Sequence, residues 1–300
     1  MAPKVSRGAG SEAGATLIEL VVVIAISAIL AGGVTAFMAR SMTGFVDSRL
    51  RAALVDSADG ALGRAKREVR LALPNSVRVS PDTRVLEILH IVDGARYRRA
   101  PGVNPGGADH SAATDWLSFT GADTQWNVLG RFAYLTFTYG SALAAGARLA
   151  VYPTSSAVWS EAAAGLSPAS ITPAGTTITL SDDGDEDAIT LSSAFTFALE
   201  SPRQRLYLVD GPITFLCDLT AKTLTRFSGY APAAAQPTDP AAAPLLAASQ
   251  ALLASSVSTC QFRYDPGTAT RAGLVSLALG LTQGTEQVSL LEQVHVENAP

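Results

Sequence analysis

Leu20-Val21-Val22-Val23-Ile24-Ala25-Ile26-Ser27-Ala28-Ile29-Leu30-Ala31-Gly32-Gly33-Val34-Thr35-Ala36-Phe37 runs for eighteen residues without a charge. Extended back to Ala15 and on to Met38, the stretch makes a helix about 36 Å long, enough to cross a hydrocarbon core about 30 Å thick. A buried core helix of this length would usually break its apolar run with polar positions. A secretory signal peptide would place a small-residue cleavage site after a shorter apolar stretch, whereas Ala31-Gly32-Gly33 lies inside this one. The reading is an uncleaved membrane helix over residues 15–38. Glu19 does not suit a plain anchor. A carboxylate at membrane depth costs at least about 2.5 kcal/mol unless paired, although one near a helix end can also keep its head in the interface.

Working outward, the helical signal continues past the span. Val46, Leu50, Leu54, Ala58, Leu62, Ala65, Val69 and Leu73 recur at steps of three or four, and Asp47, Arg51, Asp59, Lys66 and Arg70 fall off that stripe. Pro74 should end the helix at about Leu73. Residues 39–73 thus read as the amphipathic continuation of one long helix.

From 74 to 300 the pattern turns to short β-prone runs: Val85–Val92, Arg131–Thr138, Thr176–Leu180, Arg205–Val209, Ile213–Leu219, Val257–Tyr264, Leu274–Thr282 and Gln287–Val296. Ala100–Ala113, Ser141–Gly175 and Ala231–Pro244 read as loops. The fold class is α+β, a long N-terminal helix followed by one antiparallel β-sheet domain.

Composition narrows function mainly by exclusion. Across 300 residues, 22 Lys plus Arg against 26 Asp plus Glu give a net charge of −4, which excludes a dominant nucleic-acid surface. Two cysteines and three scattered histidines, His90, His110 and His295, cannot frame a zinc or iron–sulfur site. No Gly-x-Ser-x-Gly, His-Glu-x-x-His or Walker sequence occurs. The expectation is no enzyme and no cofactor. Asp182-Asp183-Gly184-Asp185-Glu186-Asp187 packs five carboxylates into six residues. Such a run is usually a solvated turn, with a calcium loop through Asp182, Asp183, Asp185 and Asp187 as the alternative.

The sequence Gly14-Ala15-Thr16-Leu17-Ile18-Glu19-Leu20-Val21-Val22-Val23-Ile24 resembles the cleavage and methylation motif of type IV prepilins and type II secretion pseudopilins. The resemblance implies that residues 1–14 are a leader removed by prepilin peptidase. Ala15, where the family usually has Phe, would become the N-methylated first residue, and Glu19 the glutamate at the fifth mature position, which serves assembly. It also implies a single-pass protein of the bacterial inner membrane, its N-terminus cytoplasmic and its C-terminal domain periplasmic, with other major and minor pilins or pseudopilins as partners. Leu71–Val79, Arg205–Pro212 and Gln293–Pro300 look like segments of the O-type minor pilin of MSHA (mannose-sensitive haemagglutinin) pilus biogenesis, the MshO family. The J-type minor pseudopilin of type II secretion shares the same plan. A membrane-anchored periplasmic enzyme or receptor is the opposing class.

An oxidising compartment would permit a disulfide. Cys217 shares a strand face with Ile213, Phe215 and Leu219, and Cys260 shares one with Phe262 and Tyr264. A Cys217–Cys260 bond is expected, with two separate buried thiols as the alternative.

Overall fold

The computed structural model describes residues 14, 16–104, 107–267 and 271–298. The chain divides into two units, 1–52 and 53–300. Helix α1, Leu17–Arg70, begins in the first and ends in the second. In the first unit the apolar residues of Leu17–Met38 are all exposed. In the second, Leu54, Ala58, Leu62, Ala65 and Val69 are buried in an apolar core, as the stripe expects.

The helix stops three residues before Leu73. Its last turn tightens, with the amides of Leu71 and Ala72 donating to the carbonyls of Glu68 and Val69. The chain then peels off to bond a strand: Leu73 N–H donates to Leu89 O at 2.8 Å, and Ile91 N–H donates to Leu71 O at 2.7 Å. Competition from a strand edge ends the helix before Pro74 can.

The strands are β1 (Arg78–Val79), β2 (Val85–Arg96), β3 (Gly102–Val103), β4 (Asp109–His110), β5 (Asp123–Val128), β6 (Arg148–Ala150) and β7 (Ile178–Asp183). They continue as β8 (Glu186–Phe195), β9 (Arg205–Asp218), β10 (Thr223–Ser228), β11 (Ser249–Ser255), β12 (Val257–Asp265), β13 (Gly273–Gln283) and β14 (Glu286–Val296). A six-stranded sheet has the order β1-β2-β9-β10-β11, with β6 also on β9. Three-stranded sheets β12-β13-β14 and β5-β8-β7 and the pair β3-β4 complete the domain. Every pairing between these strands is antiparallel.

β9 joins two runs that the sequence separates at Asp210-Gly211-Pro212. Its first half pairs β6 up to Val209, and its second pairs β10 from Ile213. The proline's missing N–H therefore falls where β9 changes neighbours, opposite the bulge at His90/Ile91 in β2. The two halves also serve different cores. Ile213, Phe215 and Cys217 join the α1 residues and the inner face of β12-β13-β14. Leu206 and Leu208 join Trp126, Ile189, Phe195 and Phe197, where Trp126 and Phe197 pack edge-on at 5.9 Å.

Several loop and strand expectations are corrected. Arg131–Thr138 is not a strand. The Asp93 carboxylate accepts the amides of Tyr134 and Leu135, and the Asp187 carboxylate accepts that of Phe132, so no ladder is left to make. Phe132 is buried while Tyr134, which strand alternation would put on the same face, is 85% exposed. The stretch Ser141–Gly175 contains β6 and a helix α2, Val158–Ala164, which buries Val158, Trp159 and Ala162. Ala100–Ala113 contains the β3-β4 pair.

Candidate functional site

The start of α1 follows from its first residues. Thr16 stands before the first helical turn, and its Oγ1 accepts the Glu19 amide at 3.3 Å while its carbonyl accepts the Leu20 amide at 3.2 Å. That is an N-cap with an acidic residue three positions on, and it fixes where the helix begins. Glu19 is exposed in the first turn, where the positive end of the helix dipole favours a carboxylate.

Around it, Leu17–Met38 offers 22 residues with none buried, about 33 Å of helix against a hydrocarbon core of about 30 Å. The Thr35 hydroxyl donates to Ala31 O at 2.5 Å, which satisfies it inside the helix. A side chain added at Gly32 or Gly33 would meet no atom within 4 Å, leaving an open notch on the apolar surface. Gly14 is described; Ala15 and the remainder of the expected leader, residues 1–13, lie outside the described residues.

Residues 10–35 match the family model described as the prokaryotic N-terminal methylation motif. The match covers Gly14, Ala15, Thr16 and Glu19 together with the apolar span as far as residue 35. It supports a type IV pilin-like or pseudopilin subunit, and the one long apolar helix among the described residues fits a membrane-anchored one. No curated protein and no solved structure matches the chain.

The remaining sequence-selected residues lie in the β domain. Cys217 of β9 and Cys260 of β12 form a disulfide with Cα atoms 6.3 Å apart. It joins the six-stranded sheet to β12-β13-β14 across the core that also holds α1.

The acidic run is the β7–β8 hairpin, and much of it is not solvated: Glu186 and Asp187 are buried. Arg98 forms a two-pronged pair with Glu186, one arm at 3.0 Å. Arg131 donates to Asp182 at 2.7 Å and to the Gly184 carbonyl at 2.6 Å. Asp187 accepts from the Phe132 amide and, at 2.6 Å, from the Tyr139 hydroxyl. Buried His110 has Nδ1 3.2 Å from Asp183 and Nε2 3.3 Å from Asp185.

Burial pushes the Glu186 carboxyl up, but bonds from Arg98, Asn104 and Asn127 outweigh it and hold it below its usual range. Bonds from Asn104 and His110 hold Asp185 down as well. Each carboxylate of the run thus has a protein donor or cation. Among the described residues no group of three or more His, Cys, Asp or Glu is arranged to hold a metal ion.

Glu87 escapes a reading by motif. It is fully buried in β2, where Arg78 Nε donates to it at 2.7 Å and the Tyr230 hydroxyl does so at 2.7 Å. Burial raises its pKa despite Arg78. Arg78 also stacks 3.8 Å over the Trp159 ring and donates to the carbonyls of Ala233 and Ala234, which pins the proline-rich loop. The available signal was a charge in the middle of the apolar run Val85-Leu86-Glu87-Ile88-Leu89.

Proposed function

We propose that the chain is a structural subunit of a type IV filament, a minor pilin-like protein that initiates or caps assembly of an MSHA-type pilus. The observation that carries this reading is a capped helix start with Glu19 in its first turn, inside a 22-residue apolar span, Leu17–Met38, of which none is buried.

The mechanism follows from the cost of that carboxylate. At membrane depth it costs at least about 2.5 kcal/mol, and the helix dipole returns about 0.3–1 kcal/mol. A deficit remains that one cation would remove. Cleavage after Gly14 creates such a cation, the α-amine of Ala15, and a neighbouring subunit's amine brought against Glu19 offsets two desolvation costs at once. Prepilin peptidase acts first, so an unprocessed chain lacks the charge needed to assemble. The β domain then stands on the periplasmic side of the inner membrane. The narrower assignment rests on the resemblance of Leu71–Val79, Arg205–Pro212 and Gln293–Pro300 to the O-type minor pilin. A minor pseudopilin of type II secretion is the alternative, since it would use the same N-terminal device. Neither role requires a catalytic group in the β domain.

Glu19→Val tests the mechanism. Membrane insertion should be retained, while crosslinking to partner subunits in the native membrane should fall at least about tenfold, the equivalent of about 1.4 kcal/mol. Undiminished crosslinking would show that Glu19 is an interfacial residue with no part in assembly.

A further inference from the structure

β14 ends its sheet: it pairs β13 from Gly273↔Val296 to Gln283↔Glu286 without a register shift, and among the described residues its other edge pairs with no strand. The other two long edge strands are interrupted or held. β11 is bulged where it pairs β10. β12 is bulged where it pairs β13, tied by the disulfide, and bonded from the Phe262 amide to Thr83 O. An 11-residue edge with no proline, lysine or bulge is an open template for another strand.

Its side chains indicate which strand. Val288, Val294 and Val296 face the core, and Gln287, Ser289, Leu291, Gln293 and His295 face outward and are exposed, Leu291 to 64%. The inward Glu292 is neutralised by Lys66 of α1 at 2.5 Å.

Turned antiparallel upon itself about Leu291, the segment opposes Leu291 to Leu291, Ser289 to Gln293, Gln287 to His295, Leu290 to Glu292 and Glu286 to Val296. No like charges meet, and the most exposed apolar residue of the strand is covered by its twin. We propose that β14 is a docking edge for a second copy of this chain, two β14 strands pairing antiparallel about Leu291 into one continuous sheet. The contact lies in the β domain and is independent of the pilin reading, because it uses neither Glu19 nor the apolar span.

The test uses the full chain in detergent and exploits the self-opposed position. Leu291→Lys places two cations opposite each other and removes the Leu–Leu contact, and Leu291→Glu does the same with two anions. Each should weaken dimerisation, read by sedimentation, by about tenfold. An equimolar mixture of the two variants should restore the dimer as a mixed pair. Leu291→Cys chains should also couple to each other under mild oxidation, whereas Leu252→Cys chains, 62% exposed on β11, should not. Failure of the mixture to restore the dimer overturns the proposal, as does equal coupling at positions 291 and 252. Coupling of Leu291→Cys solely to a different protein in the native membrane would overturn it too, by assigning the edge to another partner.

Discussion

Two stretches of one helix, Leu17–Met38 and Leu54–Val69, share a secondary structure and little else. In the first, apolar residues cover the whole circumference and none is buried. In the second, the buried apolar residues keep to one stripe, and Ala58 and Val69 reach 0% exposure. Off that stripe, Glu68 pairs Arg226 at 2.7 Å and Lys66 pairs Glu292. Helix formation alone does not decide what a helix does; the angular distribution of apolar residues does. A stripe is satisfied by its own domain, and a full apolar circumference needs an apolar surrounding.

The sharpest way to break this contrast is to place a carboxylate in each stretch. Ala58→Glu buries a charge with no partner and should destabilise the β domain by about 3–5 kcal/mol, enough to unfold a marginal domain. Ile26→Asp should leave the domain's melting temperature unchanged, because Ile26 is exposed, and should instead impair membrane insertion. Equal effects on thermal unfolding, followed by circular dichroism, would erase the distinction between the two halves.

A smaller effect is expected from the Cys217–Cys260 bond, which closes a separation of 43 residues across the core that α1 enters. Replacing both cysteines with alanine should cost about 2–4 kcal/mol in denaturant unfolding. Membrane insertion of the apolar half should be unaffected. A midpoint insensitive to both the substitution and reductant would contradict the role given to the bond.

The smallest expected effect concerns pH and is confined to the β domain. Asp185 and Glu186 titrate below their ordinary values of 3.8 and 4.5. Their contribution is therefore complete above the unfolded values and is lost as pH falls through the lower folded ones. Glu87 has the opposite sign. Burial raises its folded pKa, so its charged form opposes folding and acid relieves that cost. Glu186→Gln should flatten the acid loss of stability in unfolding measured across pH, and Glu87→Gln should steepen it. Shifts of the same sign in both variants would show that the two carboxylates are not opposed.

The sequence made the helix and both its faces legible, because a 3.6-residue period and an uncharged run are local properties. The cysteine pair was legible by strand parity, since Cys217 and Cys260 each share a strand face with core residues. In the sequence β9 looks like two strands because Gly211-Pro212 looks like a turn; the proline fits because β9 exchanges β6 for β10 there. β8 was hidden because it begins with Glu186-Asp187, residues that read as a solvated turn until Arg98, 88 positions away, is brought to them. Such partners are set by tertiary pairing and leave no local period. The first turn of α1 was the reverse case: Thr16 and Glu19 carry both a motif and a cap.

The most direct measurement is the intact mass and N-terminal peptide of the protein isolated from its native membrane. A chain beginning with N-methylated Ala15 is expected. A chain that retains residues 1–14, or one that starts near Gly33, would contradict assembly through a processed N-terminus.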